Sequence, residues 1–260
     1  MATTSEPAAG ELLVERRGHT LVITINRPRA RNAVNAAVSH GLAAGVRLLD
    51  EDPELRVAVL TGAGGTFCAG MDLKAFLAGE DIAAPGGGLG FTERPPRKPI
   101  IAAVEGFALA GGTELALATD LIIASREATF GLPEVRRGLA AGGGGLFRLP
   151  QRIPYQKAME LALTGDTLTA EQALAFGLVN TMTAPGESLA AALELAVRIA
   201  ANGPLAVAAT KQVVAAARDW KQHEAFERQA SILEPVFASQ DAREGALAFA
   251  EKRPPLWQGA

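Results

Sequence analysis

Short apolar runs that end on glycine recur through the first half of this chain and limit what it can fold into. Residues 57–60 lead into Gly62-Ala63-Gly64-Gly65, Ile100–Val104 into the turn 106–112, and residues 128–130 into Gly131-Leu132-Pro133. Each run has strand length, and each glycine permits a tight turn or a close backbone neighbour. Strand, turn and helix follow one another without a strict sequence repeat, which reads as an α/β chain.

The remainder fits that reading. Leu12–Arg17 and residues 20–26 flank Gly18-His19 as an opening hairpin. Asn35 is placed to cap a helix to about Asp50, with Val38, Leu42, Val46 and Leu49 on one face. Residues 77–99, with Gly86-Gly87-Gly88 and Pro95-Pro96, support no regular element and read as a mobile surface loop. Later come helical patterns at residues 154–163, 169–176, 188–201, 205–218, 220–237 and 241–251. Thr169 with Gln172 resembles a capping box, and Pro204 stands at a favoured first helical position. The last segment carries Phe226, Phe237, Phe249 and Trp257, more apolar aromatic surface than a solvated appendage needs, so it is expected to pack on another subunit.

The 260 residues are enough for one large domain that needs neither disulfide nor metal to fold. A net charge of −3 provides no global field for nucleic acid. Cys68 is the single cysteine, compatible with a reducing cytosol, and a cytoplasmic location is expected. Residues 1–10 lack the pattern of a signal peptide and read as a frayed tail; no apolar run reaches the roughly 20 residues of a membrane span. His19, His40 and His223 are scattered without metal-ligand spacing, so no metal is expected. The four-glycine run 142–145 lacks the Lys-Ser/Thr of a phosphate loop.

Three blocks carry chemistry: Phe67-Cys68-Ala69-Gly70-Met71-Asp72-Leu73, Ala110-Gly111-Gly112-Thr113-Glu114 and Phe130-Gly131-Leu132-Pro133-Glu134. Taken singly, each has an ordinary reading. Asp72 can cap a helix, Glu114 can complement a helix dipole, and Pro133-Glu134 can open a helix. Taken together, two free backbone N–H groups and two carboxylates would make a site for acid–base chemistry on a polarised carbonyl.

In order and spacing these blocks resemble the enoyl-CoA hydratase/isomerase (crotonase) superfamily from about Leu12 to Trp257. Further carriers are Asn26-Arg27-Pro28, Leu60-Thr61-Gly62, Lys98-Pro99-Ile100, Leu163-Thr164-Gly165, Gly177-Leu178-Val179 and Glu251-Lys252-Arg253. The resemblance implies a spiral of ββα units over residues 1–200, holding the acyl-CoA site, and a helical trimerisation region at 201–260. It implies an acyl-CoA thioester substrate, with coenzyme A part of that substrate and no other cofactor. No nucleic-acid or membrane partner is expected, and the chain should form a homotrimer or a dimer of trimers. Matched motif to motif, Met71 and Gly111 would supply an oxyanion hole through their backbone N–H groups. Glu114 and Glu134 occupy the two acid–base positions. Ala69, Gly70, Asp72, Leu73, Gly142, Arg29 and Trp257 would contact substrate, with Arg31 beside Arg29.

Glutamate at both acid–base positions is the hydratase pattern, implying reversible addition of water to a trans-2-enoyl-CoA. Enoyl-CoA isomerisation, carnitinyl-CoA-type dehydration and non-catalytic acyl-CoA binding remain alternatives. Two departures concern the acyl group. Ala141 stands where the pattern has proline, and Leu146 and Phe147 replace polar residues after the glycines. The 77–99 loop is expected to border the acyl pocket.

Overall fold

The computed structural model of the protein describes residues 10–83 and 87–260. The fraying expected of residues 1–9, and the stretch 84–86 of the glycine-rich loop, lie outside the described residues. Nine strands are present among the described residues: β1 (Leu12–Arg17), β2 (Thr20–Ile25), β3 (Val57–Gly62), β4 (Ile100–Val104), β5 (Phe107–Leu109), β6 (Leu121–Ser125), β7 (Thr129–Gly131), β8 (Thr167–Thr169) and β9 (Thr181–Thr183). They form a six-stranded sheet in the order β1-β2-β3-β4-β6-β9 and a three-stranded sheet in the order β5-β7-β8. In the large sheet only the β1–β2 hairpin is antiparallel. Isolated bridges between Val34 and Met71 and between Cys68 and Ala108 carry the small sheet's pairing back across earlier turns of the chain. Successive turns thus place a strand in each layer, and the backbone advances as a spiral.

The central strands β2, β3, β4 and β6 are buried on both faces, which is why they read as continuous apolar runs. In β3, Ala58 and Leu60 face the main core, where Val38, Leu42, Val46 and Leu49 of α1 (Ala36–Glu51) pack. Val57 and Val59 face the other way, onto Ala192, Ala196 and Ala200 of a helix that follows the last strand. Asn35 caps α1 as its position suggests, accepting from Val38 N–H at 3.1 Å.

The short helices α2 (Leu73–Leu77), α3 (Gly111–Ala118), α4 (Gly145–Arg148), α5 (Tyr155–Thr164) and α6 (Ala170–Ala175) leave the spiral's turns. The longer α7 (Ser188–Ala200), α8 (Pro204–Ala216), α9 (Ala225–Phe237) and α10 (Gln240–Glu251) close the chain. The Thr169 capping box on α6 is formed in full. Beyond α7, burial is sparse: α8 buries Ala209, α10 buries Asp241 and Ala248, and α9 buries nothing.

Residues 89–92 correct the expectation that the whole of 77–99 lies at the surface, while 77–81 are exposed as expected. Phe91 is wholly buried and Leu89 is 6% exposed, both within the main core. The Leu89 N–H donates to the Thr92 hydroxyl, and the N–H groups of Arg97 and Lys98 donate to the Asp50 carboxylate at 2.9 and 3.0 Å. Glycine and proline exclude regular structure there without excluding burial.

Candidate active site

The start of α3 is the centre of the site. Ala110 has a left-handed φ of 52°, a conformation that costs a non-glycine residue about 1–3 kcal/mol. It is held there from several sides. The Ala110 N–H donates to the Gly131 carbonyl at 2.9 Å. The buried Thr113 hydroxyl donates to the Ala108 carbonyl (2.6 Å) and accepts from Gly131 N–H (2.9 Å). Gly112 has no substitute, because a Cβ there would stand 2.0 Å from the Cys68 carbonyl oxygen. Close packing of α3 on residues 67–70 therefore selects glycine.

That packing brings Met71 and Gly111 together. A Cβ on Gly111 would lie 3.6 Å from the Met71 nitrogen. Val34 N–H donates to Gly70 and Asp72 N–H donates to Val34, so extended-chain alternation turns the Met71 N–H away from that pairing. The Gly111 N–H is an orphan donor at a helix start. Among the described residues neither N–H has a hydrogen-bond acceptor.

The two glutamates meet across the glycine run. Glu114, on the first turn of α3, is 3% exposed and accepts from Gly145 N–H at 2.9 Å. Burial raises its pKa, opposed by hydrogen bonds from the backbones of Gly145 and Gly143 and by the positive charge of Arg148. Glu134, on the 3₁₀ turn Pro133–Arg137, is half-buried, and its Oε2 is buried with no hydrogen-bond partner among the described residues. Burial raises its pKa as well, and the charge of Glu114 pushes in the same direction. The two acids thus differ: Glu114 is held by two N–H donors of the glycine run, while Glu134 has its own backbone N–H, one buried oxygen without a partner among the described residues, and a like charge nearby.

Glu134 also lines a cavity of about 310 Å³. Its wall is apolar, with Leu132, Leu146, Leu149, Met159 and Leu163, and Tyr155 is its aromatic member. α5 forms much of this wall, and no described residue of 77–99 lines it. That segment reaches the site differently: Leu89 Cδ1 would be the closest atom to a Cβ on Gly111, at 2.6 Å, and would lie 3.3 Å from one on Gly143.

The other candidate residues fall into three groups. Ala69 and Gly70 lie on the irregular segment leading to Met71, with Ala69 N–H donating to the Arg31 carbonyl at 3.0 Å. Asp72 caps α2 through Lys74 and Ala75, and Arg27 donates to it at 2.9 Å, holding its carboxyl below the usual range. Leu73 is exposed beside it. Arg29 is exposed on the 3₁₀ turn Pro28–Ala30, while the Arg31 guanidinium lies 5.7 Å from the centre of the Phe107 ring. Gly142 is exposed in the glycine run with open space around it; its neighbours Gly143 and Gly145 are the ones that touch Glu114. Trp257 lies apart from these groups, packed against Gly203 and Gly245, with Nε1 donating to Ala201 at 2.8 Å.

Cys68 is a buried core residue whose thiol burial pushes up to about 12, so it is protonated. No cluster of three His, Cys, Asp or Glu suited to a metal ion occurs among the described residues. Nor is any single helix among them long and apolar enough to cross a membrane. Gly143, Gly145, Arg148 and the α5 face were not singled out from the sequence; the four-glycine run was the one visible signal of their neighbourhood.

A model of the enoyl-CoA hydratase/isomerase family matches residues 15–260. The crystal structure of an enoyl-CoA hydratase from Mycobacterium tuberculosis H37Rv superposes with a TM-score of 0.95 at 64% identity, covering 96% of this chain and 100% of that one. The M. tuberculosis enoyl-CoA hydratase EchA19 is 44% identical over 95% of this chain and 96% of its own length. A carnitinyl-CoA dehydratase from Salmonella arizonae is also 44% identical, over 95% of this chain and 98% of its own. The chain belongs to the enoyl-CoA hydratase/isomerase family, the crotonase superfamily, whose reactions run on acyl-CoA thioesters, and is a hydro-lyase of that fold.

Proposed function

We propose that this protein is an enoyl-CoA hydratase that adds water reversibly across the double bond of a trans-2-enoyl-CoA. The observation that carries the reading is the asymmetry of the two glutamates beside two unpartnered backbone N–H groups. The thioester oxygen sits on the N–H groups of Met71 and Gly111, which stabilise the enolate-like charge as it develops, typically by a few kcal/mol. Glu114, whose carboxylate the glycine-run N–H groups hold, takes a proton from the attacking water. Oxygen bonds to the β-carbon. Glu134, whose pKa burial and the charge of Glu114 raise, delivers its proton to the α-carbon. H and OH are added overall, and the two carboxyls re-equilibrate through solvent before the next turnover. Dehydration of a 3-hydroxyacyl-CoA is the same path reversed.

The apolar cavity beside Glu134 supports a hydrocarbon acyl chain as substrate. Recognition of a trimethylammonium group uses aromatic cages or counter-charge. This wall has Tyr155 as its aromatic residue and Glu134, already engaged in the chemistry, as its carboxylate. A carnitinyl group is therefore the poorer fit. The same reading places the adenine end of coenzyme A near Ala69 and Arg31, assigns residues 201–260 to a trimer or dimer of trimers, and sets the enzyme in the cytoplasm.

The test follows the loss of enoyl-thioester absorbance with crotonyl-CoA, trans-2-decenoyl-CoA and crotonobetainyl-CoA, in wild type and in Glu134→Gln. Turnover of the first two that collapses in the variant supports the reading. Turnover confined to crotonobetainyl-CoA, or a double-bond shift without a hydroxyacyl product, overturns it.

A further inference from the structure

Arg148 is the least explained cation of the site. It ends α4, is half-buried, and has no carboxylate within ion-pair distance among the described residues. Its guanidinium turns back under the glycine run: Nη1 donates to the Gly143 carbonyl at 3.2 Å and Nη2 to the Thr92 carbonyl. The fold of the loop is arranged around it. Gly144 has φ 102°, and a Cβ there would stand 2.2 Å from Nη1, so this glycine clears the path of the guanidinium. The Gly143 carbonyl that Arg148 holds belongs to the peptide lying between the two whose N–H groups, those of Gly143 and Gly145, face Glu114, and Thr92 is the residue whose hydroxyl accepts from Leu89 N–H.

We propose that Arg148 is the positioning residue of this site: by clasping the carbonyls of Gly143 and Thr92 it fixes the glycine-run N–H donors on Glu114 and Leu89 beside Gly111. This rests on the reading of Glu114 as the group that activates water. A second consequence is electrostatic. The charged groups that bear on the carboxyl pair are Arg148 at Glu114, Glu134 from the neighbouring 3₁₀ turn, and Arg137 at Glu134. Arg148 is the cation among them that acts on Glu114 directly, and it opposes the effect of burial.

The experiment compares wild type, Arg148→Met and Arg148→Lys by two readouts: the pH profile of kcat/KM on whichever enoyl-CoA the wild type hydrates, and direct infrared titration of the Glu114 carboxyl, assigned against Glu114→Gln. In Arg148→Met, kcat falls about 10- to 100-fold and the Glu114 midpoint rises, carrying the acid limb of the profile with it. Arg148→Lys returns the midpoint towards wild type because it restores the charge, but leaves kcat depressed because one ammonium cannot clasp both carbonyls as a planar fork does. A midpoint unmoved in Arg148→Met overturns the proposal whatever the activity, because a purely architectural residue would change stability and leave titration alone. If Arg148→Met does not fold, the lysine variant decides: wild-type kcat in Arg148→Lys overturns the clasp. A moved midpoint without hydration by the wild type overturns the hydratase reading alone.

Discussion

At the scale of single residues, the two glutamates have opposite reasons to be where they are. Glu114 is buried but held by N–H donors of the glycine run; Glu134 has one buried oxygen with no partner among the described residues. Both carboxyls are raised above their unfolded values, so the folded state binds more protons than the unfolded state between those values. Stability is therefore largest below the unfolded carboxylate pKa and declines as pH rises through the folded one. Glu134→Gln removes that penalty: a scan at neutral pH should show an unchanged or higher Tm, while hydration falls by about 10²–10⁴-fold, the usual worth of a general acid. A lowered Tm would mean that the side chain is structural. The kcat/KM profile should be bell-shaped, falling in acid as Glu114 takes up a proton and in alkali as Glu134 loses one. Its limbs belong to the coupled pair.

At the scale of elements, caps and core faces were legible because they depend on local spacing. The α1 stripe, the Asn35 cap and the Thr169 box sit where their residues indicate. Thr169→Ala should cost about 1 kcal/mol in denaturant unfolding, with kcat unchanged. The three-residue strands β5, β8 and β9 had no readable period, and α9 begins at Ala225 rather than near Trp220. Strands this short are held by partners far along the chain, so local propensity says little about them. α5 read as a helix, but its role as a cavity wall was invisible, since nothing local says what a helix faces. Filling that wall with Ala162→Trp should lower the ratio of decenoyl-CoA to crotonyl-CoA kcat/KM at least tenfold. An unchanged ratio would place the acyl chain elsewhere.

At the scale of the whole molecule, α8 to α10 are incompletely covered. Phe226, Phe237 and Phe249 are 82%, 75% and 87% exposed, and α9 buries no residue. Large apolar side chains this exposed on consecutive helices support an interaction face. Sedimentation should give three or six chains per particle, and Phe249→Asp should shift the distribution towards single chains. A monomeric wild type would refute the assignment.

The sequence alone determined the longer strands and helices, the apolar face of α1, and which blocks carry carboxylates next to glycine, because these follow from side-chain chemistry at short spacing. The tertiary structure alone decided that Met71 and Gly111 are neighbours, that Gly143 and Gly145 rather than Gly142 touch Glu114, that residues 89–92 are buried, and that the acyl-sized cavity lies against α5. Each of these joins residues distant in sequence, and their juxtaposition depends on the register in which the spiral's turns stack, a property that no local window contains.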